Sequence, residues 1–184
     1  MTLTEPIETD RLILRPYRET DYDDLLKLLS SEEVCRYLLH GPKSPEEVRA
    51  SLAKRMDIPP MDTNGQDHSF AVELRETGEH LGEVVLFLVN TEHRLGEIGF
   101  VFHPSAQGKG YAAEASTAVL RYAFETLGLY RMIGRLDASN TASAALLERL
   151  GMRKEAHFVR NEKVKGEWTD EAVFAMLDVE WKAL

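Results

Sequence analysis

A glycine-rich stretch over residues 103–115, His-Pro-Ser-Ala-Gln-Gly-Lys-Gly-Tyr-Ala-Ala-Glu-Ala, carries the most chemical information in this chain. It follows an apolar run at 98–102 that is typical of a strand, and it leads into a segment with helical spacing. The first amides of a helix point outward at the positive end of its dipole, so this position suits a phosphate or pyrophosphate. Gly108 and Gly110 lack the Cβ atoms that would keep an anion from those amides. An ordinary turn is the alternative interpretation.

The segment Gly108-Lys-Gly-Tyr-Ala-Ala113 also matches the dinucleotide fingerprint G-x-G-x-x-A. That fingerprint requires a tight turn directly after a strand, within alternating parallel strands and helices. Here five residues separate the predicted strand from the first glycine. The preceding strands are joined by turns too short for parallel crossovers. These observations disfavour a nicotinamide or flavin site, and the P-loop pattern of nucleoside triphosphatases is absent.

Composition limits the class of protein. A chain of 184 residues suits one domain, so we expect a single domain over residues 1–184. The contents of 43% apolar and 29% charged residues are ordinary for a soluble globular protein. The net charge of −9 argues against a nucleic-acid partner, because no basic face is visible.

The sequence lacks several signals that would indicate a membrane, secreted or metal-binding protein. No run approaches the ~20 apolar residues of a membrane span, so we expect no membrane partner. The start of the chain lacks the basic and apolar regions of a signal peptide. The single cysteine, Cys35, lies among apolar residues and fits a packed thiol in a reducing cytosol, which predicts a cytoplasmic protein. The six histidines show no metal-ligand spacing, so no metal is predicted.

Local patterns predict a mixed α/β domain with the element order β-α-α-α-β-β-β-α-β-α-β-β. Three central strands are joined by turns so short that neighbouring strands must be antiparallel. Ser44-Pro45-Glu46-Glu47 is a capping box that opens a helix. The predicted strands are 11–17, 68–75, 81–89, 94–102, 130–138, 152–163 and 167–177, and the predicted helices are 20–29, 32–39, 44–56, 110–127 and 140–150.

Four segments of the chain match the motifs of one protein family, in the same order as in that family. They are Glu8-Thr-Asp-Arg-Leu-Ile-Leu-Arg-Pro16, the pattern Gln107-x-x-Gly-x-Ala112, the run from Asn140-Thr-Ala-Ser to Leu-Glu-Arg-Leu-Gly-Met152, and Gly166-Glu-Trp-Thr-Asp170. Together they resemble the Gcn5-related N-acetyltransferases (GNAT), in the RimJ/RimL-type branch that acetylates ribosomal protein N-termini. The resemblance implies a GNAT fold. Its central mixed sheet would have about seven strands, with an antiparallel amino-terminal meander and a splayed parallel pair at the CoA site, flanked by helices.

The resemblance also implies how acetyl-CoA, the acyl donor of this family, is held. Loop amides would bind the pyrophosphate, and the backbone of the preceding strand would bond the pantetheine arm and supply an oxyanion donor. Asn140 would contact the pantetheine amides, although a helix N-cap explains this asparagine equally well. Lys109 is either a phosphate partner or a solvated loop lysine. The implied donor-binding residues are Phe100, Val101, Phe102, Gln107, Gly108, Lys109, Gly110, Tyr111, Ala112, Ala113, Asn140 and Ser143.

The implied chemistry is direct attack of an amine on the thioester in a ternary complex. Many family members have a tyrosine as the acid for the leaving thiolate, but position 147 here is leucine. The resemblance to the ribosomal branch, in which a serine one turn earlier is the proposed acid, implies Ser143 for this role. Glu162 matches a glutamate of the ribosomal branch and is the implied base, with Glu97 as its rival. An ordinary helical serine and exposed strand glutamates are the alternatives. An N-terminal amine titrates near pKa ~8 and needs less help than a lysine near ~10.4.

The acceptor amine is left open by the sequence. A protein N-terminal α-amine is one candidate, and a polyamine, an aminoglycoside or another small amine is the other. The family's acceptor pocket would lie within residues 20–65 and 155–170. A non-catalytic acyl-CoA-binding protein is a further alternative, favoured by the missing tyrosine and disfavoured by Ser143 and Glu162. A homodimer is also expected from the resemblance, with the hairpin around Trp168 contributing.

Overall fold

The computed structural model describes residues 5–184, and one eight-stranded sheet organises them. The strand order across the sheet is β1-β2-β3-β4-β5-β6-β8-β7. The strands are β1 (Ile7–Glu8), β2 (Leu12–Arg15), β3 (Asp67–Leu74), β4 (His80–Asn90), β5 (Leu95–Phe102), β6 (Arg131–Asp137), β7 (Arg153–Val164) and β8 (Glu167–Leu177).

Helices connect the strands and cover both faces of the sheet. Ser44 opens the third helix as predicted: its hydroxyl accepts from the Glu47 amide at 3.3 Å, while the Glu47 carboxylate accepts from the Ser44 amide at 2.8 Å. None of the helices within residues 5–184 is long and apolar enough to cross a membrane. The helices are α1 (Tyr22–Leu29), α2 (Glu32–Cys35), α3 (Pro45–Met56), α4 (Tyr111–Arg121), α5 (Thr141–Arg149) and α6 (Asp178–Trp181).

A single parallel pair of strands, β5 and β6, interrupts an otherwise antiparallel sheet. The pair is short, because only Leu95, Gly96 and Glu97 of β5 have partners on β6. Beyond Glu97 the two strands diverge, whereas β5 stays paired with β4 as far as Phe102. The predicted antiparallel meander and splayed parallel pair are therefore confirmed.

Two apolar layers hold the sheet between the helices. The larger layer lies against α4 and α5 and includes Phe70, Leu120, Met132 and Phe174, each at most 1% exposed. The smaller layer joins α1 and α3 to the other face. Burial of these side chains supplies the main driving force for folding, and it fixes the sheet as the rigid frame of the molecule.

The structure corrects several predicted boundaries. The sheet has eight strands rather than about seven, because the two residues of β1 are too few for a sequence alternation to be visible. The predicted helix 110–127 is α-helical only to Arg121 and continues as a π-helical turn over Tyr122–Thr126. The predicted helix 32–39 is limited to the single turn of α2. The short helix α6 follows the last predicted strand.

Candidate functional site

The divergence of β5 from β6 opens a cavity of about 880 Å³. Since β5 has no strand partner on this side after Glu97, backbone that would be paired in a closed sheet faces this space. The β7–β8 hairpin and the segment after α2 complete its walls. Six residues singled out from the sequence line this one cavity: Glu97, Phe100, Val101, Asn140, Ser143 and Glu162.

The start of α5 contributes two polar groups to the cavity. The Asn140 side-chain oxygen accepts a hydrogen bond from the Ser143 amide at 3.1 Å, so this asparagine caps the helix. The side-chain nitrogen of Asn140 and the Ser143 hydroxyl make no hydrogen bond to any other group in residues 5–184 and stay available for a ligand. One turn further along, Leu147 is 1% exposed and packs against Gly134 of β6. A core contact therefore occupies position 147, where the family often has tyrosine.

Three carboxylates and one guanidinium form the opposite part of the cavity wall. Arg135 donates to Glu171 at 2.5 Å and lies 3.3 Å from Glu162. Glu171 also accepts from the Asn161 side chain at 2.7 Å. Arg135 and Glu171 were not singled out from the sequence, because their strands are neighbours in space but distant in the chain. The only sign of them in the sequence was that each is a charged residue within a strand that is otherwise largely apolar.

Glu97 differs from the other two carboxylates. Within the described part of the chain its carboxylate makes no hydrogen bond and no salt bridge, while Glu162 and Glu171 are both paired with Arg135. Burial raises the pKa of Glu97 above its ordinary value, the nearby charge of Arg135 opposes the rise, and Glu171 and Glu162 add to it. A carboxylate with a raised pKa and free lone pairs is suited to accepting a proton.

The glycine-rich loop lies at the end of β5 and begins α4, outside the cavity. Gly108 and Gly110 have φ angles of 74° and 81°, a left-handed conformation that side chains rarely adopt. A Cβ atom at Gly108 would meet nothing within 4 Å, and one at Gly110 only the Arg11 guanidinium. The backbone N–H groups of Gly108, Lys109 and Gly110 donate to no acceptor within residues 5–184. The loop therefore presents open amides beside free space.

The remaining donor-site residues continue from this loop. Gln107 and Lys109 are exposed, and the half-buried Tyr111, Ala112 and Ala113 form the first turn of α4. Phe102 is 9% exposed and packs in the core, so only its backbone can meet a ligand. The strand end, the loop and the helix start thus form one continuous surface from the cavity to the open amides.

The far end of the cavity is closed by a buried ion pair and a lysine. Glu83 accepts from Arg55 at 2.7 Å and from the Tyr17 hydroxyl at 3.1 Å. Lys165, in the hairpin turn, donates to the backbone oxygens of Cys35 and Arg36 at 2.8 and 2.9 Å. This contact fastens the hairpin to the end of α2.

Residues 11–153 match the acetyltransferase (GNAT) domain family. The chain belongs to this family. An uncharacterised N-acetyltransferase of Bacillus subtilis is 32% identical over 95% of this chain and 98% of its own length. The crystal structure of a GNAT-family acetyltransferase from Bacillus anthracis has a TM-score of 0.86 and 31% identity, covering 95% of this chain and 99% of that chain. The predicted superfamily, fold class and enzyme class are confirmed: the chain is a GNAT N-acetyltransferase.

Two further relatives of this GNAT enzyme are named after the acceptors that they acetylate. Spermidine N(1)-acetyltransferase of Vibrio cholerae is 30% identical over 87% of this chain and 89% of its own length. The ribosomal protein uS5-alanine N-acetyltransferase of Escherichia coli is 32% identical, over 46% of this chain and 43% of its own length. GNAT acetyltransferases use acetyl-CoA as the acyl donor. Among residues 5–184, no three metal-ligating side chains are grouped closely enough to hold a metal ion.

Proposed function

We propose that this GNAT enzyme transfers the acetyl group of acetyl-CoA to a primary amine by direct attack in a ternary complex. The observation that carries the proposal is the cavity between β5 and β6, into which β5 presents both a free backbone edge and the unshared carboxylate of Glu97. The amine nitrogen forms a bond to the thioester carbonyl carbon. The carbon–sulfur bond then breaks, which leaves an N-acetylated product and CoA.

The donor side of the proposal rests on backbone groups. The amides of residues 107–113 bind the pyrophosphate at the start of α4. The free edge of β5 at Phe100–Phe102 bonds the pantetheine arm as an added strand would and supplies an N–H for the developing oxyanion. The side-chain nitrogen of Asn140 donates to the same arm, since its oxygen is occupied by the helix cap.

Two side chains move the protons. Glu97 accepts the proton from the ammonium or from the attacking amine, supported by its unshared carboxylate and raised pKa. Glu162, which the resemblance favoured as the base, is held near Arg135 instead and adds negative charge. Ser143 passes a proton to the departing thiolate. A thiol titrates near pKa ~8.5, so a hydroxyl relay is sufficient.

The charges of the cavity favour a cationic acceptor. Glu162 and Glu171 share the Arg135 guanidinium, Glu97 has no ionic partner within residues 5–184, and the Glu83–Arg55 pair neutralises itself. An amine with more than one positive charge gains most from this imbalance. The hairpin turn, which Lys165 joins to the end of α2, forms part of the cavity wall. A spermidine-like acceptor, as in the Vibrio relative, fits these features.

A protein N-terminus is the second candidate acceptor, supported by the likeness to the ribosomal protein uS5-alanine enzyme. Initial rates with acetyl-CoA should be measured for spermidine, spermine, an aminoglycoside and alanine- or serine-initiated peptides. We expect turnover that is fastest with the polyamines. Faster turnover of peptides would reverse the order of the two candidates. Binding of acetyl-CoA without turnover of any amine would instead identify an acyl-CoA-binding protein.

A further inference from the structure

The corner between β1 and β2 contacts the first turn of α4. The Glu114 carboxylate accepts hydrogen bonds from the Thr9 hydroxyl at 2.6 Å, from the Arg11 amide at 3.0 Å and from Arg11 Nε at 2.7 Å. Burial opposes its ionisation, but the bonds from Thr9 and Arg11 hold the pKa of Glu114 below its ordinary value. Glu114 is therefore an ionised anchor for a segment more than a hundred residues away in the chain.

The Arg11 guanidinium extends from this anchor onto the glycine-rich loop. Its Nη1 donates to the Lys109 backbone oxygen at 3.0 Å, and its carbon lies 4.7 Å from the centre of the Tyr111 ring. Nη2 would lie 3.4 Å from a Cβ atom at Gly110. The side chain remains 48% exposed, so its outer N–H groups are open to a ligand.

We propose that Arg11 is a positioning residue of the CoA-phosphate site. A trans peptide directs its C=O and N–H to opposite sides. The bond from Arg11 to the Lys109 oxygen therefore turns that oxygen toward the guanidinium and the Gly110 N–H away from it. The bond also points the negative end of the Lys109 carbonyl dipole toward the guanidinium, so that it does not face a bound phosphate. The guanidinium, whose charge is balanced by the Glu114 carboxylate, adds N–H donors at the edge of the amide surface.

This inference gives a physical role to Thr9 and Arg11, which lie in the amino-terminal segment that resembles the GNAT opening. Thr9 accepts from the Leu12 amide at 2.9 Å and donates to Glu114, so it fixes the corner from which Arg11 projects. The segment supports the donor site although it lies about a hundred residues before the loop. The inference rests on the proposed use of this loop for acetyl-CoA.

The test compares Arg11→Gln with Arg75→Gln. Arg75 is a matched control from the same corner: its side chain pairs with Glu8 at 2.7 Å, is 44% exposed and makes no hydrogen bond to the glycine-rich loop within residues 5–184, while its backbone bond to the Arg11 oxygen is kept in the variant. Each variant is assayed with acetyl-CoA and with S-acetylpantetheine, which lacks the phosphates, at two salt concentrations. We expect Arg11→Gln to raise the KM for acetyl-CoA about tenfold with an unchanged kcat. It should leave the rate with S-acetylpantetheine unchanged and weaken the salt dependence of KM.

Arg11→Lys and Glu114→Gln complete the series. Lysine keeps the charge but lacks the planar fork that reaches both Lys109 and Glu114, so an intermediate KM is expected. Glu114→Gln should resemble Arg11→Gln, because the carboxylate that holds Arg11 is lost.

Equal KM values for Arg11→Gln and Arg75→Gln, or an equal loss of rate with both acyl donors, would overturn the inference. If Gly110→Val also leaves acetyl-CoA binding intact, the proposed loop function fails as well. If only Gly110→Val weakens binding, the failure is confined to Arg11.

Discussion

The proposed donor side and the proposed acceptor side of the site are built in different ways. The proposed donor side uses backbone groups that are contiguous in the chain, from β5 through the glycine-rich loop into α4. The acceptor side uses side chains from four strands, which meet only after the sheet has formed. In this proposal, local backbone geometry determines how the acyl donor is bound. The choice of acceptor depends instead on a few charged side chains, which single substitutions can replace.

The largest effect is expected on the acceptor side. Glu97→Gln should lower kcat/KM by about 10³-fold, within the range of general base catalysis, and leave the affinity for acetyl-CoA unchanged. An amine of high pKa should lose more than an amine of low pKa, because bulk water must then remove the proton. Rates from pH 5 to 10 with both amines measure this. Because the pKa of Glu97 is raised, the wild-type rate should begin to fall, as the pH is lowered, at a higher pH than the ordinary pKa of a glutamate would give.

Glu162→Gln is the control for this prediction. It removes a carboxylate from the same wall but one that is paired with Arg135. We expect it to raise the KM for a polycationic acceptor a few-fold and to keep the shape of the pH profile. The reverse pattern, with Glu162→Gln losing the acidic limb and Glu97→Gln behaving as wild type, would assign the base to Glu162.

Ser143→Ala should lower kcat by about 10²-fold, the lower end for acid catalysis, because a thiolate leaves readily. The affinity for acetyl-CoA, measured by calorimetry, should change little. Ser139→Ala is the matched control, since Ser139 lines the same cavity but its hydroxyl is committed to Asp137 at 2.6 Å. Similar kcat values for the two variants would exclude a role for Ser143 in proton transfer.

On the donor side, Gly110→Val should weaken acetyl-CoA binding by about 30-fold. The loss corresponds to about one amide-to-phosphate bond, because a valine at this left-handed position must move the loop. Calorimetric titration with CoA measures the change. Gly78→Val is the control: this glycine has a φ of 73° and open space around it, but it lies in the β3–β4 turn. Equal affinities in the two folded variants would contradict the loop assignment.

The smallest effect concerns assembly, which stays a prediction from the resemblance. Trp168, on the β7–β8 hairpin, is 60% exposed, and Val159 and Phe158 of the same hairpin are 74% and 46% exposed. If this surface pairs two copies, Trp168→Ala should shift light-scattering mass from a dimer toward the 20.8 kDa monomer. A wild-type protein that is monomeric at micromolar concentration would remove the prediction.

The contrast between the two sides also explains what could be predicted from the sequence. Gly108, Gly110 and the capping box at Ser44 act through neighbours within a few residues, so their spacing alone indicated the loop and the start of α3. The short turns between β3, β4 and β5 likewise required antiparallel pairing. Sequence spacing was sufficient to predict the structure wherever the conformation of a segment depends only on residues close to it in the chain.

Contacts between distant segments could not be predicted in this way. Arg135 and Glu171 are 36 residues apart, and Arg11 and Glu114 are 103 residues apart. Neither pair follows from periodicity, because each depends on which strands and helices become neighbours. The unshared state of Glu97 is likewise a property of the assembled wall, whereas the preference for Glu162 as the base came from the family resemblance alone.

The short pairing of β5 with β6 has a consequence for solubility. An exposed strand edge is ordinarily a hazard, since strands of other molecules can add to it and start aggregation. Here the free edge of β5 faces a narrow cleft between two strands of the same sheet. The fold thus provides a free strand edge for the proposed binding of the pantetheine arm inside a cavity, where it is shielded from the strands of other molecules.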